Sequence, residues 1–279
     1  MKSSNLSIHR ATKNGYNYTH SHKPRYASHC VSTPEAHRGS QIKVVSYNIR
    51  FSKKIDQAIK TLKTNPKVGN ADIILLQEMD PVGVEKMAHS LGFNYVYYPA
   101  SVHPAAGKDF GNAVLSKWPF LSDRKIILPK PKTKKLQRIA VEATLMICNK
   151  KITVYSIHLD IFLNASQRAL QLTQLIQDKP SSDYYVFAGD FNTFTESNRN
   201  AVTKAFKEAN FELATRDAHW TYRHWYLLNK KSCVDYVFTS GMQVIESGKI
   251  TNHKASDHHP IWAELKFIDK ELNDNLNQI

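Results

Sequence analysis

Long apolar runs are missing from this 279-residue chain. No stretch approaches the roughly 18 apolar residues that a membrane-crossing helix needs. The first 30 residues lack the apolar core of a secretory signal. Cysteine is scarce: Cys30, Cys148 and Cys233 are widely spaced, odd in number and without a CxxC pattern. That usage argues against a disulfide framework and a zinc site, and a reducing compartment, the cytoplasm, is the expectation. Acidic residues are few as well. Lys and Arg number 38 against 24 Asp and Glu, a formal charge of +14. The excess suits polyanionic partners such as nucleic acid, phospholipid headgroups and phosphorylated metabolites. It is dispersed rather than gathered in one block, so a generally basic composition accounts for it about as well.

What is present divides the chain in three. Residues 1–40 hold five histidines and six Lys or Arg against a single acid, Glu35, with no apolar periodicity. They read as a flexible basic tail; a targeting segment is the other reading, because the stretch is Ser-rich and acid-poor. The folded domain is expected over 41–270, with 271–279 as a C-terminal tail. Apolar runs and alternation predict strands over 42–49, 73–76, 112–116, 139–147, 152–157, 184–188, 234–239 and 261–267. Helical spacing is carried by Ile55, Ala58, Ile59 and Leu62, and again by Val84, Met87, Ala88 and Leu91 with Gly92 placed to end it. Two more helices are expected, over 165–176 and 197–210. Many short strands with helices between them fit a two-layered sheet covered by outer helices. PKPKTKK (129–135) reads as a solvated basic loop, with phosphate contact as the alternative.

Polar residues stand at or just past several buried strands, where a rigid backbone can aim a side chain into a shared cleft. They are Asn48 in VVSYNIR, Glu78 in DIILLQEM, His158 in VYSIHLD, Asp190 and Asn192 in FAGDFNT, Asp235 in VDYVF, and Asp257 with His258 in ASDHHPIW. Any one of them has a bland explanation; six such segments in succession are hard to attribute to chance. Glu78, Asp257 and the Asn48 amide oxygen are donors that a hard cation such as Mg²⁺ takes. Histidine beside carboxylates suits proton transfer near neutral pH. An amide such as Asn192 orients a water or meets developing negative charge. Hydrolysis of a phosphate ester needs all of these together.

The ordered set SYNIR, LLQE, SIHLD, FAGDFN, VDYVF and SDHHP, with GNAVLSK at 111–117, resembles the endonuclease/exonuclease/phosphatase superfamily, of deoxyribonuclease-I-like fold, over about residues 42–268. The resemblance implies an α+β fold, a four-layer α/β/β/α sandwich with two mixed sheets. It implies Mg²⁺ or Mn²⁺ and hydrolysis of a phosphate ester. On this chain Asn48 and Glu78, with Asp257, match the metal positions. Asp190 and Asn192 match the pair that orients the nucleophile and contacts phosphate, and Asp235 matches the residue that orients the closing histidine, His258. His158 resembles the histidine of the subgroup of secreted nucleases and sphingomyelinases, which makes abasic-site repair a poorer fit. The implied mechanism has Asp190, or His258 paired with Asp235, deprotonate a water. Asn192 and His158 touch the phosphoryl oxygens, His158 also serves as leaving-group acid, and Arg138 is a candidate phosphate contact. His259 is expected to take no part in proton transfer.

The leading reading is thus a Mg²⁺-dependent hydrolase of a phosphodiester or phosphomonoester, expected as a monomer. A nuclease acting on DNA or RNA is the runner-up, phospholipid remains open, and a non-catalytic nucleic-acid or membrane-binding protein is the reading from another class. The aromatic-basic stretch 220–231 (WTYRHWYLLNKK) departs from the short loop of many relatives; Trp225 and Tyr226 suit stacking on a base or a lipid, or covering a hydrophobic edge.

Overall fold

The computed structural model describes residues 16–29, 39–104, 106–130, 136–224 and 230–268. The strands, in chain order, begin with β1 (Tyr16–Asn17), β2 (Tyr26–Ser28), β3 (Gln41–Asn48), β4 (Ile73–Met79), β5 (Asn94–His103), β6 (Lys108–Ser116), β7 (Phe120–Ile127) and β8 (Ile139–Ile147). They continue with β9 (Lys150–His158), β10 (Tyr184–Asp190), β11 (Glu212–Leu213), β12 (Tyr222–Arg223), β13 (Lys231–Ser232), β14 (Asp235–Ser240), β15 (Met242–Lys249) and β16 (Ile261–Phe267). The helices are α1 (Ile55–Thr64), α2 (Pro81–Leu91), α3 (Ala165–Gln177) and α4 (Glu196–Glu208).

Two sheets are formed. One has the order β1-β5-β6-β4-β3-β16-β15, with β2 also on β5; the other has the order β11-β14-β10-β9-β8-β7. Each is mixed: β3 runs parallel to β4 and β9 parallel to β10, while the other pairings among the described residues are antiparallel. Alternation explains the stacking, since successive strand residues face opposite sides. Val44, Ile73, Leu75 and Val114 of the first sheet meet Val141, Val154, Val186 and Val237 of the second in one core. The other sides of the same strands bury Val45, Ile74 and Leu76 under α1 and α2, and Tyr155, Phe187 and Phe238 under α3 and α4. The order of layers is therefore helix, sheet, sheet, helix, as expected.

Helix ends follow local chemistry. The Asp80 carboxylate accepts the Gly83 N–H at the start of α2, and Gly92 ends it at φ 72°, a left-handed turn that costs glycine little. At α3 Asn164 and Gln167 form a reciprocal capping box.

Three long strands, β5, β7 and β15, escape the sequence pattern, as do the two- and three-residue strands β1, β2, β11, β12 and β13. β5 contains Pro99 and is offset by a bulge between Pro99 and Ser101. β7 and β15 lie at sheet edges, and most of their side chains are half-buried or exposed, Leu121 and Ile245 among them. The expected flexible tail 1–40 is corrected over 16–29, which lie along the edge strand β5. The Lys125 ammonium donates to the Tyr18 and Lys23 carbonyls, Arg25 forms a two-pronged pair with Asp123, and the Tyr18 hydroxyl donates to Asp109. Residues 1–15, 30–38 and 269–279, most of the loop 129–135, and Trp225 with Tyr226 lie outside the described residues.

Candidate active site

The two parallel pairs bring their C-terminal ends to one place. β3 and β4 finish with Asn48 opposite Gln77, and Glu78 follows. β9 and β10 finish with His158 opposite Asp190, and β14 begins with Asp235 opposite Asp190 on the other side. Paired residues present side chains to the same face, so register alone lines up His158, Asp190 and Asp235. His258 joins them from the segment before β16, where it bridges to Tyr222.

Asp190 is the hub. Its Oδ2 accepts from Asn48 Nδ2 at 3.1 Å and lies 3.5 Å from His158 Nε2 and 3.7 Å from His258 Nε2. Its Oδ1 accepts the Asn192 backbone N–H at 2.9 Å. The other His258 nitrogen, Nδ1, is 3.0 and 3.1 Å from the two Asp235 oxygens. Asp235 is held in place because the Thr221 hydroxyl accepts its backbone N–H. Glu78 Oε1 accepts from Asn48 Nδ2 at 3.2 Å. Glu78 sits at φ 57° in a bulge of β4 between Leu76 and Met79, the kind of irregularity that re-aims a side chain. Its side chain is partly exposed, whereas Asp190, Asp235 and His158 are buried. Asp257 stands at the rim, 3.4 Å from Arg50 Nε.

Electrostatics divides the roles. Burial raises the Asp190 pKa, with Asp235 and Glu78 adding to it against the pull of His258. For His258 burial opposes the charge, but Asp235 and Asp190 outweigh it and the ring holds its proton well above the usual histidine range. His158 goes the other way: burial, then Arg138, His258 and His103, drive it well down. Arg138 NH1 lies 3.3 Å from His158 Nδ1. A guanidinium only donates, so Nδ1 accepts and the proton of the neutral ring belongs on Nε2, facing Asp190; the tautomer is assigned from the hydrogen-bond network. Burial also raises Glu78, with Asp257 adding and His258, Arg138 and the Asn48 bond opposing.

Three expected roles change with this geometry. His158, neutral and turned to Asp190, is a poor leaving-group acid; His258 is the charged one. The Asn48 oxygen accepts the Arg50 N–H at 3.0 Å, so the amide meets Glu78 and Asp190 as a donor bridging two carboxylates. Asn192 Nδ2 donates to the Leu159 carbonyl at 2.8 Å, locking the loop after β10 in place of pointing at substrate. His259 faces the Ile250 carbonyl and His253.

Tyr222, whose ring is 4.7 Å from His258, lies in the aromatic-basic stretch 220–231, and Arg168, in the helix whose Gln167-Arg168 and Gln171 resemble metal-dependent hydrolase members, is fully buried and donates to the Phe191 and Ile161 carbonyls; neither contact was legible in the sequence. Arg50 stood in the SYNIR segment itself, and adjacency to Asn48 was the available signal.

Among the described residues one group of carboxylate and imidazole atoms is compact enough to enclose a cation, Asp190, Asp235 and His258, within 4.8 Å of one another. Both His258 nitrogens already face those carboxylates, which is the geometry of a proton relay. The oxygen donors Glu78 and Asp257 fit a hard divalent cation better. Asp257 adds to the raised proton affinity of Glu78, whose side chain takes one hydrogen bond among the described residues, from Asn48, so a cation would supply positive charge that the protein does not.

The endonuclease/exonuclease/phosphatase family model matches residues 45–258. The chain belongs to this family. It is a phosphoric ester hydrolase, and all eight site residues fall inside the matched stretch or at its last position. Solved family structures share the fold. A protein from Leptotrichia buccalis aligns at TM-score 0.65 and 18% identity over 81% of this chain and all of its own. The mannosyl-6-phosphatase of Bacteroides thetaiotaomicron aligns at 0.62 and 17% over 81% of this chain and all of its own. TDP2 of D. rerio, complexed with single-strand DNA product, aligns at 0.65 and 15% over 81% of this chain and 99% of its own. A UPF0294 protein of Vibrio parahaemolyticus is 31% identical over 91 residues, 33% of this chain and 31% of that protein, so the match spans about a third of each. No helix of the described residues is long and apolar enough to cross a membrane.

Proposed function

We propose that this family member hydrolyses a phosphodiester or phosphomonoester by in-line attack of a water activated at Asp190. The observation that carries the reading is the continuous line Asp235–His258–Asp190, whose contacts are 3.0 Å and 3.7 Å long. Asp190 is a buried carboxylate with raised proton affinity, suited to take a proton from water. His258, kept charged by two carboxylates, stabilises the ionised Asp190 and returns a proton to the leaving oxygen. Asp235 holds the ring in position. Neutral His158 presents Nε2–H, and Asn48 presents Nδ2–H; both donors steady Asp190 and orient groups that bear negative charge as the bond breaks. Asn192 fixes the loop that sets the Asp190 rotamer. Glu78 and Asp257 would hold Mg²⁺ or Mn²⁺, and such an ion neutralises phosphate charge when bound.

The fold serves both a mannosyl-6-phosphatase and a protein complexed with single-strand DNA product among its structural neighbours, which supports leaving both ester types within the reading. The test is hydrolysis of bis(p-nitrophenyl) phosphate and p-nitrophenyl phosphate in Mg²⁺. Turnover should stop on adding EDTA and fall by about 10²-fold or more in Asp190→Ala, the scale on which a general base acts. Full activity of Asp190→Ala on each ester the wild type cleaves refutes the assignment.

A further inference from the structure

Arg138 is a cation that no acid holds in place. Its NH1 lies 3.3 Å from His158 Nδ1, and its guanidinium lies 5.0 Å from the centre of the Phe110 ring, itself 5.5 Å from the ring of His158. Arg50 and Arg124 dock on carboxylates. Arg138 is in no ion pair among the described residues, and its buried Nε donates no hydrogen bond. An arginine loses much rotamer freedom when it is held in one pose, so its place depends on what fixes its root and the ring it covers. The root lies at a strand end, one residue before β8.

Both supports come from the segment 16–29. Asn17 Oδ1 accepts the Gln137 backbone N–H at 2.8 Å. The buried Gln137 amide donates in turn to the Leu128 carbonyl at 2.6 Å and to the Arg138 carbonyl at 2.8 Å, and the Leu128 N–H closes onto that same Arg138 carbonyl at 3.1 Å. The next residue of the segment serves the ring. The Tyr18 hydroxyl donates to Asp109, the chain neighbour of Phe110, at 2.7 Å, and the Tyr18 N–H bonds the Ala100 carbonyl at 2.9 Å. Asn17, Ser101 and Phe110 stand in one row across β1, β5 and β6. The Asn17–Gln137 contact crosses from the first sheet to the second, because Gln137 leads into β8. The segment precedes residues 45–258, so this chain draws the supports of Arg138 from outside the part it shares with its family. Asn17 is not what fastens the segment: Arg25 on Asp123 and Lys125 on the Tyr18 and Lys23 carbonyls do that.

We propose that Asn17 and Tyr18 are positioning residues for the hydrolysis: they hold Arg138 on His158 Nδ1 and so keep the His158 proton on Nε2, facing Asp190. A guanidinium only donates, so Nδ1 stays bare while Arg138 covers it. With Arg138 swung away, Nδ1 is open to the ring's proton, and a bare Nε2 then meets the Asp190 oxygen lone pair against lone pair. The donor that steadies the carboxylate is lost without any change in His158 or Asp190 themselves. The work done by those two residues is taken from the hydrolase reading; the place of the proton stands apart from it.

Long-range proton–nitrogen NMR correlation on the full chain in EDTA, with nitrogen-labelled histidine, reports which ring nitrogen of His158 carries the proton. The His158 signals are assigned by their loss in His158→Gln. The wild type should show Nε2 protonated and Nδ1 bare. Asn17→Ala removes the acceptor of the Gln137 N–H and Tyr18→Phe removes only a hydroxyl; each should bring in the form protonated at Nδ1. Asn17→Asp, which keeps an acceptor oxygen, should restore the wild-type pattern. In Mg²⁺, with either p-nitrophenyl ester, Asn17→Ala should lower kcat by roughly 10-fold, within the about 10²-fold that a displacement of about 1 Å costs. On an Arg138→Gln background the same substitution should cost nothing further, since residues that act through one contact are not additive. A His158 pattern unchanged in both Asn17→Ala and Tyr18→Phe, undiminished kcat in both, or a loss that recurs in full on the Arg138→Gln background overturns the proposal. A His158 proton that moves as expected in a protein that hydrolyses no ester supports the placement and counts against the proposed reaction alone.

Discussion

The pairs β3–β4 and β9–β10 are built alike and finished differently. Each is parallel, central in its sheet and buried on both faces for most of its length. Each stops at the cleft. The first ends in an amide and a partly exposed carboxylate, Asn48 and Glu78, with no histidine beside them. The second ends in His158 and Asp190, fully buried, with Asp235 one strand further and His258 across them. On the proposed reading, one scaffold therefore offers a cation a hard oxygen site and, opposite it, a proton-transfer site. A single side chain joins the two: Asn48 Nδ2 reaches both Glu78 and Asp190. Burial raises the proton affinity of both carboxylates; what divides them is solvent access, partial at Glu78 and absent at Asp190, and the histidines packed on Asp190. A carboxylate that is to hold a cation profits from access, while one that is to trade protons near neutrality needs a raised affinity, which desolvation supplies.

The largest break in this comparison comes from backbone. Gly189 of β10 has φ 152°, and a Cβ there would lie 1.9 Å from the Ile157 carbonyl oxygen of β9. No glycine occurs in β3 or β4. Gly189→Ala should abolish the folded state, seen as loss of cooperative thermal unfolding by circular dichroism. Next in size is the chemistry. His258→Ala, like Asp190→Ala, should cut turnover by about 10²-fold or more with the fold intact. Asp235→Asn, which keeps the ring in place and removes one of its charges, should cost less than either.

A smaller effect separates the pairs by pH. The fold binds the His258 proton more tightly than the unfolded chain does, so this contact stabilises fully below about pH 6.5, the ordinary histidine value, and is lost as pH rises towards the higher folded value. Asp190 is raised as well; its contribution is greatest below about pH 4 and is lost as pH rises. Both act in one direction. Urea unfolding across pH 6–9 should show stability falling with pH, by at most about 1.4 kcal/mol per pH unit for each proton linked to folding, and His258→Asn should flatten that fall. In activity, the acid limb should lie above the ordinary carboxylate range, because Asp190 must lose its proton, and the alkaline limb above the ordinary histidine range.

Much of this architecture was legible in the chain. The apolar run 73–76, the alternation at 139–147 and the spacing of Ile55, Ala58, Ile59 and Leu62 fixed elements whose partners are close or whose pattern is strong. All eight site residues were visible as polar groups ending such runs. The orientation of their atoms was not. Asn48 donates because the Arg50 N–H takes its oxygen, and His158 is neutral because it is buried and because Arg138, twenty residues earlier, is folded against it. Those facts depend on neighbours that only register brings together. The 16–29 segment was missed for a similar reason: Tyr18, Lys23 and Arg25 are ordered by Asp109, Lys125 and Asp123, about a hundred residues away. β7 and β15, at sheet edges with wet outer faces, show too little alternation to stand out.

The division of labour between the two strand pairs is the central claim, and a Mg²⁺ titration of Glu78→Gln beside Asp190→Asn tests it most directly. Turnover of Glu78→Gln should recover as Mg²⁺ is raised, because the lost group serves to hold the ion, while Asp190→Asn should stay inactive at every Mg²⁺ concentration. Recovery of Asp190→Asn at high Mg²⁺, or a Glu78→Gln enzyme that no amount of Mg²⁺ restores, would contradict it.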